Sequence, residues 1–150
     1  MTDDALLTLA NTWRDQIPIT DAMALTPKRF EDHALYVQAA LAPNVNVHGT
    51  AFAGSLYAIA ALSGWGLVHL ELGAAGLDGS IVIAEGQIAY QRPVQEDIVA
   101  RCATDAAEVA EITERLRCDG RVRWPLTSRI EAAGREAVRF EGVYAVKLRA

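Results

Sequence analysis

Residues 51–72, AFAGSLYAIAALSGWGLVHLEL, decide the fold. The run predicts a long helix that is apolar on nearly every side, closed by Gly73 and Gly76. From Asn44 to Val68 no residue is charged if His48 is neutral, and Gly49–Val68 approaches the length of a membrane span. Three features argue for a soluble centre instead. Ser55, Ser63 and glycines at 49, 54, 64 and 66 interrupt the run. No Lys or Arg stands near either end to set a topology. The flanking chain reads as alternating strands, which need a water-soluble core. A helix apolar all round also forms the centre of soluble proteins.

Working back from the helix, Ala42-Pro43-Asn44-Val45-Asn46-Val47-His48-Gly49 has turn chemistry. Before it come two strand candidates, Met23–Leu25 and Ala34–Leu41, with Thr26-Pro27-Lys28 read as the turn between them. An amphipathic helix begins at Asp3 and Asp4, carries Leu6, Leu9, Ala10, Trp13 and Ile17 on one stripe, and ends at Pro18. Working forward, Ser80–Tyr90 reads as a long strand, interrupted by Arg92-Pro93, and Asp97–Thr104 as the next. A helix over Ala106–Cys118 presents Val109, Ile112 and Leu116 on one face and stops at Gly120. Arg121–Glu131 alternates cleanly, with Val122, Trp124, Leu126 and Ile130 on one side. After the turn Ala133-Gly134-Arg135, a final strand points Val138, Phe140, Tyr144, Val146 and Leu148 inward.

Strands with one apolar face each and one helix apolar all round are buried most simply by wrapping a curved antiparallel sheet around the helix. The fold class is α+β. No repeat, linker or low-complexity segment divides residues 1–150, so a single domain is expected. Gly64 and Gly66 each cost the helix about 1 kcal/mol relative to alanine, which implies close packing at those points.

Composition limits the function. A net charge of −5 and a pI near 5.1 disfavour a nucleic-acid partner or an anionic membrane surface. Cys102 and Cys118 form no CxxC pair and fit free thiols in a reducing compartment. The acidic start MTDDALLTLANTW has no basic leader-like region, so a cytoplasmic location is expected. No His/Cys/carboxylate spacing suggests a metal, and no Gly-rich loop a nucleotide.

Two stretches carry a family resemblance. NVHGTAFAGSLYAIA (46–60) resembles the loop and opening turns of the central helix in hotdog-fold thioesterases, and IAYQRPVQEDIVA (88–100) is similar to their strand–Arg-Pro–strand signature. Gly54-Ser55-Leu56-Tyr57-Ala58, followed by Ser63-Gly64-Trp65, points within that superfamily to the thioesterase-like domain that forms the C-terminal half of certain bacterial acetyltransferase proteins (the YiiD C-terminal type). The resemblance covers most of the chain. It implies a hotdog fold and a homodimer with the long helices side by side, leaving a tetramer open. It also implies active sites at the subunit boundary and an acyl group carried on coenzyme A or acyl carrier protein. The pantetheine then belongs to the substrate, and no separate cofactor is expected.

Thioester hydrolysis needs a polarised carbonyl, an attacking group and a dry pocket. The unpaired N–H groups at the start of the long helix, Thr50 through Ser55, can supply the first. In phenylacetate-type relatives an acid about two turns into this helix acts as base or nucleophile; here that position is Ala61, and no Asp or Glu lies between Thr50 and Leu70. His48 is the best substitute: either a base that activates water or a solvated, structural hydrogen bonder of the loop. Asn46 either orients water or closes an Asx turn, and Ser63 either positions water or bonds a helix carbonyl. Substrate contacts are expected from Asn44, Gly49, Thr50, Gly54 and Ser55 around the helix start. Glu85 and Gln87, two apart on one strand face, complete the set if that face is the pocket's and not the solvent's. Arg92 after that strand joins it if it pairs with a coenzyme A phosphate and does not simply stay exposed at its turn. His33 and His69 read as structural. Three functions follow: a thioesterase working through bound water, a non-hydrolytic acyl-thioester binding module assisting fatty-acid synthesis, and a dehydratase or hydratase. The last needs an acid on the helix that this stretch lacks.

Overall fold

The computed structural model describes residues 2–149. Helix α1 (Thr2–Gln16) buries Leu6, Leu9 and Trp13, the apolar stripe read from the sequence. After Pro18 comes a single turn, α2 (Ile19–Ala22), which the sequence reading did not anticipate. Strands β1 (Leu25–Glu31) and β2 (Ala34–Ala39) form a hairpin. A 3₁₀ turn at Ala42–Asn44 leads to α3 (Ala53–Ala74). Then follow β3 (Gly79–Tyr90), β4 (Ile98–Ala103), α4 (Ala106–Asp119), β5 (Arg121–Ala132) and β6 (Arg135–Leu148). The six strands form one sheet in the order β1-β2-β4-β5-β6-β3, antiparallel at each pairing, with α3 against its inner face.

The expected turn at Thr26-Pro27-Lys28 is corrected by the structure. Those residues lie inside β1, and the chain reverses at Asp32-His33. Pro27 is accommodated because β1 is an edge strand whose register shifts between Pro27 and Arg29, and a bulged edge needs no N–H there. Asp32 (φ 50°) and His33 (φ 60°) both occupy the left-handed region of a two-residue hairpin loop. The strain is held by a distant contact: His33 Nδ1 lies 2.7 Å from the carboxylate of Glu71 on α3, whose side chain is 3% exposed. Asp32→Gly is therefore expected to stabilise by about 0.5 kcal/mol, since glycine adopts this φ freely. His33→Gly relieves the same strain but lowers stability by about 2 kcal/mol, because Glu71 is left buried and alone. Urea unfolding of the two variants checks the opposite signs.

Helix α3 is long and apolar enough to cross a membrane. In this fold it is the core helix, with Leu56, Ile59, Ala60, Leu67, Val68, Leu70 and Leu72 all buried. The close packing expected at its glycines is present. A Cβ at Gly66 would stand 2.8 Å from Leu35 Cδ2 and 2.9 Å from Trp13, and one at Gly64 would overlap the Tyr144 phenol. Gly73 does not close the helix, which runs to Ala74; Gly76, at φ 72°, takes the left-handed position beyond it. The alternation of β5 holds throughout, with Val122, Trp124, Leu126, Ser128 and Ile130 buried. Pro125 sits in the stretch of β5 that β4 does not reach. Helix α4 is N-capped by Asp105, whose carboxylate accepts from the Glu108 N–H, and ends at Gly120 with φ 76°.

Strand β3 differs from its neighbours. It pairs only with β6, so its other edge is free for twelve residues, and most of its side chains are exposed. Beside it, α3 leaves Ala53 and Gly54 exposed and Ala58, Ala61, Leu62 and Trp65 half-buried.

Candidate active site at the start of the core helix

The approach to α3 is built by asparagines. The Asn44 side-chain N–H groups donate to the carbonyls of Met23 (2.8 Å) and Ala40 (2.7 Å), and the residue is 2% exposed. Its own carbonyl accepts from Phe52 N–H at 2.7 Å, fixing the residue that precedes the helix. Asn46 Oδ1 accepts from the N–H of His48 (2.9 Å) and of Thr50 (3.2 Å), while its amide N–H donates to the Thr50 hydroxyl (2.9 Å) and the Ala51 carbonyl (3.4 Å). Asn46 thus closes an Asx turn with its whole amide. Gly49, at φ 75°, completes that turn. Ala51 N–H donates to Val94 O, which ties the loop to the Arg92-Pro93 segment.

The helix therefore begins abruptly. Phe52 provides no side-chain cap, and the N–H groups of Ala53, Gly54 and Ser55 make no hydrogen bond among the described residues. The Tyr90 hydroxyl reaches from the end of β3 and donates to the Ala53 carbonyl at 2.9 Å. Between these elements lies a cavity of about 370 Å³ lined by Asn46, Thr50, Ala53, Leu56, Tyr90, Arg92 and their neighbours. Arg92 donates from Nε to the Glu136 carbonyl at 3.0 Å and meets no carboxylate among the described residues. The cavity thus brings together Ala53, whose N–H is free, the Arg92 guanidinium and an apolar wall, which suits an electron-rich oxygen. Two larger depressions, about 590 and 620 Å³, lie on the outer face of the sheet, where strand pairing leaves no helix-start N–H groups.

Asn46, Thr50 and Arg92 line the cavity; Gly54 and Ser55 also have free N–H groups but follow its lining residue Ala53 without lining it themselves. Gly54 has a further role: a Cβ there would come within 2.5 Å of the Phe52 ring, so the glycine makes room for an exposed aromatic over the first turn. The structure does not bring the other expected residues together. His48 is exposed at the loop tip, does not line the cavity, and its ring has no hydrogen bond among the described residues. Asn44 is buried in the loop base. Ser63 is fully buried and donates to Ile59 O at 2.7 Å, within its own helix. Glu85 and Gln87 do share a face, but it is the outer one, where Glu85 pairs with Arg123 at 3.0 Å.

Tyr90 and Phe52 were not singled out from the sequence. An exposed aromatic at the residue before a helix, and another at a strand end beside Arg92, were the available signals. Burial raises the Tyr90 phenol above its ordinary value, with Tyr57 adding to the effect, so it remains a donor at neutral pH. The thiol of Cys102, pushed up to about 11 by burial, is no nucleophile.

A curved antiparallel sheet around one long helix, with an open helix start flanked by the Arg-Pro segment, defines a hotdog-fold protein of the thioesterase type. Residues 6–148 match a family model described as "Putative thioesterase (yiiD_Cterm)", and the chain belongs to that family. A Shewanella oneidensis protein described in the same two words is 33% identical, with 98% of this chain and 99% of that one covered and a TM-score of 0.85. A Chlorobaculum tepidum protein of unknown function is 29% identical over 99% of this chain and 97% of its own, with a TM-score of 0.95. A Pseudomonas aeruginosa protein described as a probable thioesterase is 17% identical, covers 95% of both chains at a TM-score of 0.72, and attests the fold alone.

Proposed function

We propose that this protein hydrolyses acyl thioesters of coenzyme A or acyl carrier protein in the cytoplasm, with water as the attacking group. The observation that carries this reading is the uncapped start of α3 opening into a cavity beside Arg92. The thioester carbonyl oxygen accepts from the free N–H groups of the first turn, where the helix dipole favours the charge that develops on it. Water adds to the carbonyl carbon and gives up a proton to a base. The tetrahedral intermediate then expels the thiolate, which takes that proton as the C–S bond breaks. The residues lining the cavity include no carboxylate and no imidazole to take the proton from water. The base is assigned to His48, which stands outside the cavity of a single copy but on the loop that carries its lining residues Asn46 and Thr50.

The functional unit in this reading is a dimer. The free twelve-residue edge of β3 is a template for antiparallel pairing with a second copy, and the half-exposed Ala58, Ala61 and Trp65 of α3 would lie beside their counterparts. Such a dimer brings the partner close to Tyr90 and the loop tip, where His48 is exposed.

One observation favours a second reading, a non-hydrolytic acyl-thioester binding module. Ala61 offers no acid, its carbonyl already accepts from Tyr144, and no carboxylate lines the cavity. Release of free thiol from a panel of acyl-CoA thioesters separates the two. Hydrolysis predicts turnover that falls about a hundredfold in His48→Ala, the lower end of what a general base contributes. Binding of acyl-CoA with no thiol release at any chain length would leave the binding module.

A further inference from the structure

The outer face of β3, β6 and β5 carries no covering layer, and its cross-strand pairs can be compared one by one. Arg129 and Arg139 stand opposite each other on β5 and β6, two like charges in register, which is unfavourable on its own. That pair is compensated: Arg129 lies 2.9 Å from Glu136, and Arg139 lies 3.1 Å from Glu141. At the other end of the same two strands, Arg121 and Lys147 also stand opposite each other, both exposed on the outer face. Neither reaches a carboxylate among the described residues. Arg115 of α4 borders the same depression, about 620 Å³, with Glu111 4.0 Å away. Arg123, the fourth cation there, is taken by Glu85 at 3.0 Å. In a chain of net charge −5, one like-charged pair is neutralised internally and its twin is left open.

We infer that Arg121, Lys147 and Arg115 dock an acidic helical surface of a protein partner. Resting on the thioester reading above, that partner is the carrier protein that presents the acyl group. Protein is favoured over nucleotide on two grounds. Strand β6 is laddered to β3 and β5 on both sides, so the depression has no cradle of free N–H groups such as phosphate sites use. No aromatic ring lines it to stack a base. What it presents is side-chain cations around Val82, which is 56% exposed. Arg121 and Lys147, about 5 Å apart at Cα as an opposed pair, match carboxylates one turn apart on a helix, about 5–6 Å at Cβ. Pairing of two copies through the β3 edge leaves this face open.

The test is binding of fluorescently labelled holo-acyl carrier protein by anisotropy, alongside thiol release from acyl-CoA. Wild type binds, and more weakly as salt rises from about 50 to 300 mM. Arg121→Glu/Lys147→Glu loses at least about tenfold in carrier affinity, while acyl-CoA turnover stays within about twofold. Arg121→Glu alone turns a repulsive cross-strand pair into an attractive one. Its unfolding midpoint rises by about 2 °C while carrier binding weakens, so the loss is not misfolding. Carrier affinity unchanged by the double variant overturns the proposal. So does displacement by free coenzyme A of apo-carrier protein, which has no pantetheine arm to enter the cavity; that would make the face a nucleotide site. A change in sedimentation mass in the variant also overturns it, by showing that a second copy covers the face. Carrier binding that depends on Arg121 and Lys147 without any thioester hydrolysis supports the docking site while removing the hydrolase reading.

Discussion

Replacing Gly64 with alanine lowers the unfolding midpoint by about 9 °C, although alanine is the better helix former. The added Cβ would occupy the place of the Tyr144 hydroxyl and ring edge. Tyr144 cannot swing aside: it is fully buried on β6 and donates to the Ala61 carbonyl at 2.7 Å. Burial raises its phenol far above the ordinary value, so the hydroxyl stays a donor. Overpacking costs about 2–3 kcal/mol, and displacing the buried hydroxyl from its acceptor about 1–2 more. The gain in helix propensity returns about 1 kcal/mol, so the net loss is about 3 kcal/mol. Gly73 is the internal control. It lies in the same helix with nothing within 4 Å of its would-be Cβ, so Gly73→Ala stabilises by about 0.5–1 kcal/mol. Thermal unfolding of the two variants should move in opposite directions. A Gly64→Ala protein as stable as wild type would mean that Tyr144 is not seated in the helix notch.

The contrast between these glycines marks where sequence reasoning reaches and where it stops. The apolar run, the period-two alternation of β5 and β6 and the stops at Gly76 and Gly120 are local signals, and the elements formed where they pointed, while α3 runs through Gly73. Gly64 and Gly66 implied close neighbours, but only the folded chain identifies Tyr144, Leu35 and Trp13 as those neighbours. The first hairpin was misplaced because Thr26-Pro27-Lys28 has turn chemistry, whereas the residues that turn, Asp32 and His33, lack the glycine such a turn favours. His33 is held there by Glu71, thirty-eight residues away, a contact without local trace.

The geometry of the candidate site was legible to a similar extent. The helix start, Thr50 and Arg92 could be placed because they flank elements with clear patterns. The face of Glu85 and Gln87 could not, because a register shift between Ile83 and Glu85 breaks the simple alternation of β3. For Asn46, a binding amide and an Asx-turn amide are identical in sequence. The four hydrogen bonds its side chain makes within the loop decide for the turn.

Asn44 extends that argument to the largest effect expected of any single change in the loop. Asn44→Asp is expected to cost about 4 kcal/mol near pH 7, although it alters one atom group. The side-chain N–H groups of Asn44 satisfy two carbonyls, of Met23 and Ala40, at a site that is 2% exposed. A carboxylate there has no N–H to give. It faces two carbonyl oxygens in a water-poor site, so both acceptors lose their partner and a charge is buried beside them. Protonation restores one donor. The folded-state pKa of the new carboxyl therefore lies above its unfolded value of about 3.9. A raised folded value means that the contribution is present below the unfolded pKa and is lost as pH rises through the folded one. The deficit relative to wild type should thus shrink on acidification toward pH 4. Asn44→Ala should cost about 2–3 kcal/mol, since it strands the same carbonyls without adding charge, and its deficit should not vary with pH. Because Asn44 also fixes Phe52 through its own carbonyl, both variants should lower activity by loosening the start of α3 rather than by removing a substrate contact. Urea unfolding at pH 7 and pH 4.5 with thiol-release assays would distinguish these cases. An Asn44→Ala protein with wild-type stability but lost acyl-CoA affinity would return Asn44 to the binding surface.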